Sequence, residues 1–248
     1  MFDPFSDFET AGYLRNFEGL KDPDEIKVQE HAFFEANLEE ALDRLSNHNG
    51  PLAYQHFLEV HAILFQDFYP WAGQDRHMLD VGRLVEKGDV QFEVAERSRQ
   101  AVEWGLRMGN DTRTIRLKPG AVMGAFAWGH PFLDGNGRTM LLVHTALCAR
   151  AGFSIAWQLT RKNEYLRALT AEIRTPDQGA LDEYFRPLIS PMSSRDDWLS
   201  QIIALPGLDG SQMDENVAYQ ANGADAVERY TEAARTRAQS LDPSNSQP

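Results

Sequence analysis

The sequence predicts an all-α fold, a helical bundle that carries one short β-hairpin. Apolar residues recur every three or four positions along most of the 248-residue chain, which is the pattern of helices that bury one face. Between Met78 and Phe92 this period fails, and apolar residues instead flank Lys87-Gly88-Asp89, a sequence typical of a tight hairpin turn. We therefore expect helices to build the core and the hairpin to lie at its edge.

Composition narrows the class of protein. Hydrophobic residues make up 42% and charged residues 25% of the chain, ordinary values for a globular protein. The net charge of −13 argues against nucleic-acid binding, because that activity needs a basic face. The chain has a single cysteine, Cys148, which excludes an internal disulfide. No apolar run reaches membrane-spanning length, and the amino-terminal residues lack the features of a signal peptide. We expect a cytoplasmic protein, or one secreted into a host cell by a specialised system, with no nucleic-acid or membrane partner.

Two helices are predicted before the hairpin. Asp22-Pro23 offers a start for the first, which runs to Asn49-Gly50, and Pro51 begins the second. His31 is expected to be buried with the first stripe. The two apolar stripes consist of Ile26, Val28, His31, Phe34, Leu38, Leu42 and Leu45, and of Phe57, Leu58, Val60, His61, Leu64 and Phe65.

Helices and short breaks alternate after the hairpin. Residues 93–110 form one predicted helix, and Pro119 opens another that leads into a polar loop. A further helix follows this loop until Gly152 stops it. The remaining segments are an extended piece at 153–159, a helix at 163–173 and a helix spanning 181–188 that Pro191 ends.

A change of composition near residue 192 predicts two parts. Residues 1–192 would form the main domain, including an irregular amino-terminal segment, and residues 193–248 a carboxy-terminal helical extension. Within the extension, residues 213–238 are rich in Ala and Glu and could form a helix. The last nine residues have few apolar anchors and are expected to be disordered.

The polar loop His130-Pro131-Phe132-Leu133-Asp134-Gly135-Asn136-Gly137-Arg138 concentrates the reactive groups of the chain. Glycines at 135 and 137 would allow positive φ angles and turn backbone N–H groups toward an anion. The next helix is expected to begin at about Arg138, so its positive dipole end would face the same point. These features predict a phosphate-binding loop.

Each polar side chain of the loop has a chemical use. Arg138 could bind a phosphate with its planar fork, and Asn136 could donate to another phosphate oxygen. Asp134 is a hard oxygen ligand suited to Mg²⁺, and His130 has an ordinary pKa near neutrality, so it could accept a proton from a hydroxyl. Together they indicate attack of a hydroxyl on a metal-bound nucleotide phosphate. The alternative is a structural turn between two core helices.

At these nine residues the chain resembles the Fic family, whose motif His-Pro-Phe-x-Asp/Glu-Gly-Asn-Gly/Lys-Arg is matched at every defined position. Tyr69-Pro70-Trp71-Ala72-Gly73-Gln74-Asp75-Arg76 is similar to the Tyr-x-Trp-Ala-Gly-x-x-Arg segment of many Fic proteins. Gly12-Tyr13-Leu14-Arg15-Asn16 is similar to the segment that opens many Fic domains. The resemblance extends over roughly residues 10 to 190.

The resemblance implies transfer of a nucleoside monophosphate, usually AMP from ATP, onto a Ser, Thr or Tyr hydroxyl of a target protein, with Mg²⁺ as cofactor. His130 would be the base, and Asp134 would hold the metal. The hairpin at Lys87 and Gly88 resembles the Fic flap, which pairs with an extended segment of the target protein. The residues implied to bind the nucleotide phosphates are Gly135, Asn136, Gly137 and Arg138.

One departure from the family pattern leaves the activity open. Many Fic proteins carry a second arginine three residues after the first, whereas this chain has Leu141, which cannot bind a phosphate. The loss of one charge-assisted contact, about 1.5–3 kcal/mol, would weaken nucleotide binding or redirect the site to another donor. Two alternatives are phosphoryl transfer as in Doc proteins, which carry lysine in place of Gly137, and a catalytically idle scaffold that binds a nucleotide or partner.

A second pattern concerns regulation. Ser211-Gln212-Met213-Asp214-Glu215-Asn216 matches the inhibitory pattern Ser/Thr-x-x-x-Glu-Gly/Asn of Fic proteins at Ser211, Glu215 and Asn216. Because Leu141 replaces the usual arginine partner, the glutamate would have to pair with Arg138. A separate small antitoxin protein and a plain helix start capped by Ser211 are the alternatives. The resemblance thus also suggests a toxin–antitoxin or effector role.

Overall fold

Ten α-helices form most of the part of the chain that the computed structural model describes, which is residues 14–203, 205, 217–218 and 224–241. The predicted all-α class is confirmed. The 3-10 turns lie at Trp157–Leu159 and Arg186–Leu188. The helices are α1 (Pro23–Ser46), α2 (Tyr54–Phe65), α3 (Ala95–Asn110), α4 (Thr112–Leu117), α5 (Pro119–Gly129), α6 (Asn136–Arg150), α7 (Lys162–Arg174), α8 (Ala180–Phe185), α9 (Arg195–Ile203) and α10 (Ala224–Ser240).

Short antiparallel strands lie at the edge of this bundle. The predicted hairpin is present, with Glu86 opposite Gln91 and Lys87 opposite Val90. A third strand pairs with the other edge of the hairpin's first strand, and two further strands form a separate pair. The strands are β1 (Glu86–Lys87), β2 (Val90–Gln91), β3 (Phe153–Ile155), β4 (Ile189–Pro191) and β5 (Val217–Ala218).

Helix α5 lies at the centre of the bundle. All its residues are buried, and helices α3, α6, α7 and α8 pack around it. Its sequence is apolar on every side, which is typical of a helix enclosed by others. A Cβ on Gly124 would lie 2.4 Å from Cγ of Glu172, so glycine permits the close approach of α7. The polar loop begins where this buried helix ends, so the helix fixes the position of the first loop residue, His130.

Helix α1 buries the predicted stripe except at two of its positions. Asp22 caps the helix as predicted, because its side chain accepts from the N–H groups of two first-turn residues. Val28 is 61% exposed, however, and His31 is only half-buried, so both expectations of burial were wrong. Ile26, Glu30 and Phe34, which are spaced four residues apart, lie on the same face of the helix and are buried. A glutamate therefore occupies a core position.

Several other elements also differ from the predictions. Helix α4 was not predicted, although Asp111 caps it by accepting from the Thr114 N–H at 2.7 Å. The helix expected over 181–188 ends at Phe185, and Ile189–Pro191 pairs with Phe153–Ile155 as strand β4. The carboxy-terminal helix begins at Ala224, and part of the segment assigned to it is strand β5. The two strands β4 and β5 were missed because each pairs with a segment distant in sequence.

No helix in the described ranges is both long enough and apolar enough to cross a membrane.

Candidate active site

His130 ends the central helix in a backbone conformation that reverses the chain. Its φ of 40° and ψ of 57° lie in the left-handed region, and its N–H donates to the Phe126 carbonyl at 3.2 Å. Residues other than glycine rarely adopt this conformation, which persists where surrounding structure enforces it. The turn leaves His130 half-buried at the surface of the bundle, where the loop to Arg138 begins.

The imidazole of His130 packs flat against the ring of Phe92, which directly follows β2. The ring centroids are 3.9 Å apart and the ring planes differ by 17°. Desolvation, and then the positive charges of Arg76 and Lys87, hold the pKa of His130 well below its usual value. The ring is therefore neutral at physiological pH, and a neutral imidazole can accept a proton.

Arg76 fixes the start of the loop, and sequence reasoning gave it no role. The side chain is fully buried, and Nε donates to the His130 carbonyl at 2.8 Å. Its Nη2 donates to the Glu93 carbonyl at 2.8 Å, and Nη1 donates to the Gly82 carbonyl. Desolvation lowers the pKa of Arg76 to about 10, so the group stays charged at neutral pH. One guanidinium thus joins the loop histidine to both sides of the hairpin segment.

His61 and Phe132 form the floor of the loop. Both are fully buried, and their rings stack with centroids 3.7 Å apart. Because Nδ1 of His61 accepts from the Gly73 N–H at 2.8 Å, Nε2 carries the ring proton and donates to the Asp134 carbonyl at 3.0 Å. Burial lowers the pKa of His61 to about 3, so the ring is neutral. Phe132 therefore anchors the loop in the core, and His61 is a further residue that holds it.

Gly135 and Asn136 shape the turn before helix α6. Gly135 has a φ of 74°, and a Cβ there would lie 2.4 Å from Cε2 of Phe65. Asn136 accepts from the Phe132 N–H at 2.9 Å through Oδ1 and donates to the Phe132 carbonyl at 2.8 Å through Nδ2. The amide was expected to reach a phosphate, but in this structure it braces the loop. Its backbone N–H belongs to the first turn of α6.

The amino end of α6 leaves space for an anion. The helix begins at Asn136, two residues before the predicted start, so Gly137 is helical and the expected positive φ there was wrong. A Cβ on Gly137 would meet nothing within 4 Å, which shows open space over the first turn. The first N–H groups of a helix lack intrahelical acceptors, and the helix dipole makes this end positive. Geometry and charge here suit a phosphate group.

Arg138 already has an acidic partner inside the protein. Its Nη2 lies 2.7 Å from Oε1 of Glu30 and 3.8 Å from Oδ1 of Asp134. The guanidinium also lies over the rings of Phe34 and Phe65, at 5.6 and 4.7 Å from their centroids. Desolvation outweighs the attraction of Arg138 and raises the pKa of Glu30 to about 7. The predicted phosphate ligand is therefore held in place by a carboxylate that sequence reasoning missed.

Asp134 could hold a divalent cation together with nucleotide phosphates. Its side chain is 45% exposed, and Oδ1 accepts from the Gly135 N–H at 2.6 Å. No group of three or more His, Cys, Asp or Glu side chains that could hold a metal occurs among the described residues. A single exposed carboxylate suits Mg²⁺, which keeps several waters and takes further ligands from phosphates. The residues present therefore fit a cation that arrives with its nucleotide.

The hairpin brings Lys87 close to the loop. Gly88 has a φ of 58° in the turn, and Lys87 lies in β1, close enough for its charge to act on His130. The residues that match the inhibitory pattern, Ser211, Glu215 and Asn216, lie outside the residues that the structure describes.

Comparisons with known proteins point to one family. A family model described as the Fic/DOC family matches residues 51–148. The protein adenylyltransferase VbhT from Bartonella schoenbuchensis is 30% identical over 170 residues, which is 67% of this chain and 35% of VbhT. The protein y4lH from Sinorhizobium fredii, named a probable protein adenylyltransferase, is 30% identical over 166 residues, which is 63% of this chain and 81% of that protein. The chain thus spans about a third of VbhT but most of y4lH.

Solved structures agree on the fold. The Fic domain of a VirB-translocated Bep effector protein from Bartonella quintana, with bound ADP, superposes with a TM-score of 0.58 at 21% identity. The match covers 76% of this chain and 95% of that domain.

Proposed function

This chain belongs to the Fic/DOC family, and we propose that it is a protein adenylyltransferase, which transfers AMP from ATP to a Ser, Thr or Tyr hydroxyl of a target protein. The main support is the position of His130 at the start of the loop that leads to the open amino end of α6. A proton acceptor beside an anion site is what attack of a hydroxyl on a phosphate requires.

The proposed reaction assigns one task to each part of the loop. His130 takes the proton as the target oxygen bonds to the α-phosphorus, the bond from that phosphorus to the bridging oxygen breaks, and pyrophosphate leaves. The N–H groups of the first turn of α6 bind phosphate oxygens, and the Arg138 guanidinium adds positive charge. Mg²⁺, held by Asp134 and the phosphates, would supply further charge neutralisation.

The target would bind as an extended segment along the hairpin at Lys87 and Gly88. Strand addition gives affinity through backbone hydrogen bonds and makes few demands on sequence. Because the solved Bartonella domain belongs to a translocated effector, our proposal includes a toxin or effector role, with a small antitoxin protein as a further partner.

A nucleotide-binding protein without transfer activity is the second candidate. Leu141, at the position of the second family arginine, is 5% exposed and packs in the core, so it offers the nucleotide no charge. Arg138 is also partly neutralised by Glu30. Both observations favour weaker binding of a triphosphate.

Labelled ATP distinguishes these functions. The protein is incubated with a cell lysate, Mg²⁺ and ATP that carries the label on either the α- or the γ-phosphate. Adenylyl transfer predicts a protein band with α-label only. A band with γ-label only would show phosphoryl transfer, and no band together with measurable ADP binding would show the idle scaffold.

A further inference from the structure

Strand β5 occupies one edge of the hairpin. Strand β1 lies between β2 and β5, with Glu86 opposite Ala218 and Lys87 opposite Val217. A two-stranded hairpin alone would expose this edge of β1, and an exposed edge is a template for pairing with another chain. In this chain a segment about 130 residues away in sequence already fills it.

The pairing with β5 uses the backbone of Glu86. The Phe92 N–H donates to the Val85 carbonyl at 3.2 Å, so the backbone of Val85 faces the β2 side. Successive residues of a strand direct their backbone groups to opposite edges. The N–H and carbonyl of Glu86 therefore face Ala218, and they are the groups that an added strand would use.

Side chains of helix α10 also contact Glu86 of the hairpin and Glu93 just after it. Arg229 Nη2 lies 2.7 and 3.0 Å from the two carboxylate oxygens of Glu86. The Tyr230 hydroxyl donates to Glu93, and its ring lies parallel to that of Trp128 with centroids 6.4 Å apart. Strand β5 and helix α10 are separated by five residues in the sequence. Two successive elements of the chain therefore contact the hairpin.

We propose that β5 is an internal occupant of the target-docking edge of the hairpin, so that a target segment must displace it. The identification of this edge as a docking site rests on the proposed function. Its occupancy by β5 rests on the strand register alone.

The pairing of β5 with β1 can compete with a target segment for the same edge and can also be displaced by it. A strand tethered by a short connection acts at an effective concentration on the order of millimolar, so it excludes segments that bind only through their backbone. Among the residues that the structure describes, β1 and β5 form two residue pairs, and the Arg229 side chain is 53% exposed, which makes its ion pair weak. A target with additional contacts can therefore displace β5 without unfolding the bundle.

A peptide-binding experiment tests the occupancy. The probe is a fluorescent synthetic peptide with the sequence of residues 214–221. Ala218→Pro removes the N–H opposite Glu86 and should free the edge, while Ala218→Val keeps this N–H and serves as the matched control. We expect the proline variant to bind the peptide at least tenfold more tightly than the wild type or the valine variant. Equal affinities, or no binding by the proline variant, would overturn the proposal.

Two further measurements distinguish release of the β1 edge from misfolding of the proline variant. The amide hydrogen of Glu86 should exchange with deuterium at least tenfold faster in Ala218→Pro than in the wild type, while the Phe92 amide should not change. Arg229→Ala alters an exposed side chain and should give a smaller increase in peptide affinity. Unchanged exchange at Glu86 would contradict the register from which the inference starts.

The consequence for target binding is tested separately. In the lysate assay with α-labelled ATP, Ala218→Pro should increase the initial rate of target labelling at least threefold over Ala218→Val. A decrease would show that β5 is part of the target's binding surface and would overturn the proposed competition. Because the peptide and exchange experiments contain no nucleotide, a failure of the adenylyltransferase proposal leaves them interpretable.

Discussion

Glu30 places a buried carboxylate against the guanidinium that the proposed reaction uses. It lies on the core-facing row of α1, with Oε1 2.7 Å from Arg138, and its pKa is raised to about 7 mainly by desolvation. Near neutral pH this residue therefore passes between a charged form, which opposes a phosphate beside Arg138, and a neutral form, which does not.

This titration predicts a pH-dependent effect of Glu30→Gln on nucleotide binding. Glutamine can still accept from Arg138 but carries no charge. At pH 8, where Glu30 is ionised, the variant should bind ADP about tenfold more tightly than the wild type, because one nearby negative charge is gone. At pH 6, where Glu30 is protonated, the two affinities should agree. Titration calorimetry with ADP at both pH values measures the ratio.

Glu35→Gln is the matched control for this experiment. Glu35 lies on the same helix with a side chain that is 42% exposed, 3.3 Å from His31, so its loss should not change the affinity at either pH. A ratio for Glu30→Gln that is the same at pH 6 and pH 8 would contradict the assigned role.

Individual residues could be predicted only where their chemistry is local. The nine residues of the polar loop carry their chemistry in one continuous stretch, and the structure places them together. Glu30 was missed because a charged residue in a helical stripe is ordinarily solvent-exposed. Arg76 had a signal, its place in the Tyr-x-Trp-Ala-Gly-x-x-Arg segment, but its acceptors are carbonyls of residues scattered from Gly82 to His130.

At the scale of elements, two glycines in the same turn serve different purposes. Gly135 has a φ of 74°, and a Cβ added there would lie 2.4 Å from the Phe65 ring. Gly137 is helical, and a Cβ added there would have no atom within 4 Å. The first glycine is required by backbone conformation and packing. The second keeps the space over the first turn of α6 open.

Paired alanine substitutions separate these two purposes. Gly135→Ala should lower the free energy of unfolding by about 2–3 kcal/mol, because it adds strain and a clash with Phe65. Gly137→Ala should raise it by about 0.5–1 kcal/mol through helix propensity, and should weaken ADP binding because the methyl group enters the proposed phosphate site. Urea denaturation and ADP titration measure both. Equal stability changes, or unaltered ADP binding by Gly137→Ala, would contradict the assignment.

Most of the longer helices were predictable because each buries a periodic stripe or a wholly apolar sequence of its own. Strand β5 was not, because two residues contain no periodicity and the pairing partner lies about 130 residues earlier. The start of α6 was misplaced by two residues since Gly135, and not the second glycine, supplies the left-handed turn.

At the scale of the whole molecule, buried neutral histidines connect the parts of the bundle. His144 Nε2 lies 2.8 Å from the Pro119 carbonyl, which joins α6 to the start of α5, and His61 supports the loop. Burial lowers the pKa of His144 to about 4 and that of His61 to about 3. Below the unfolded-state pKa of about 6.5, the unfolded chain binds protons that the folded chain excludes.

The fold should therefore lose stability as the pH falls from 6.5 toward 4. Each histidine contributes a slope of up to about 1.4 kcal/mol per pH unit in this window, and the stability it adds is fully present above pH 6.5. Glu30 acts in the opposite direction between about 4.5 and 7, because its folded pKa is raised. Urea denaturation of wild type and His144→Gln between pH 7.5 and 5 isolates one histidine. The variant should show the shallower slope, and identical slopes would contradict burial of a neutral ring.

The most direct test of the central claim compares the wild type with His130→Asn in the lysate assay with α-labelled ATP. Asparagine tolerates the left-handed backbone at this position but cannot accept a proton as imidazole does. We predict labelled protein bands with the wild type, a loss of about 100-fold or more in the variant, and equal ADP binding by both. Labelling by the variant at the wild-type rate, or no labelling by the wild type, would show that His130 is not the base of an adenylyl transfer.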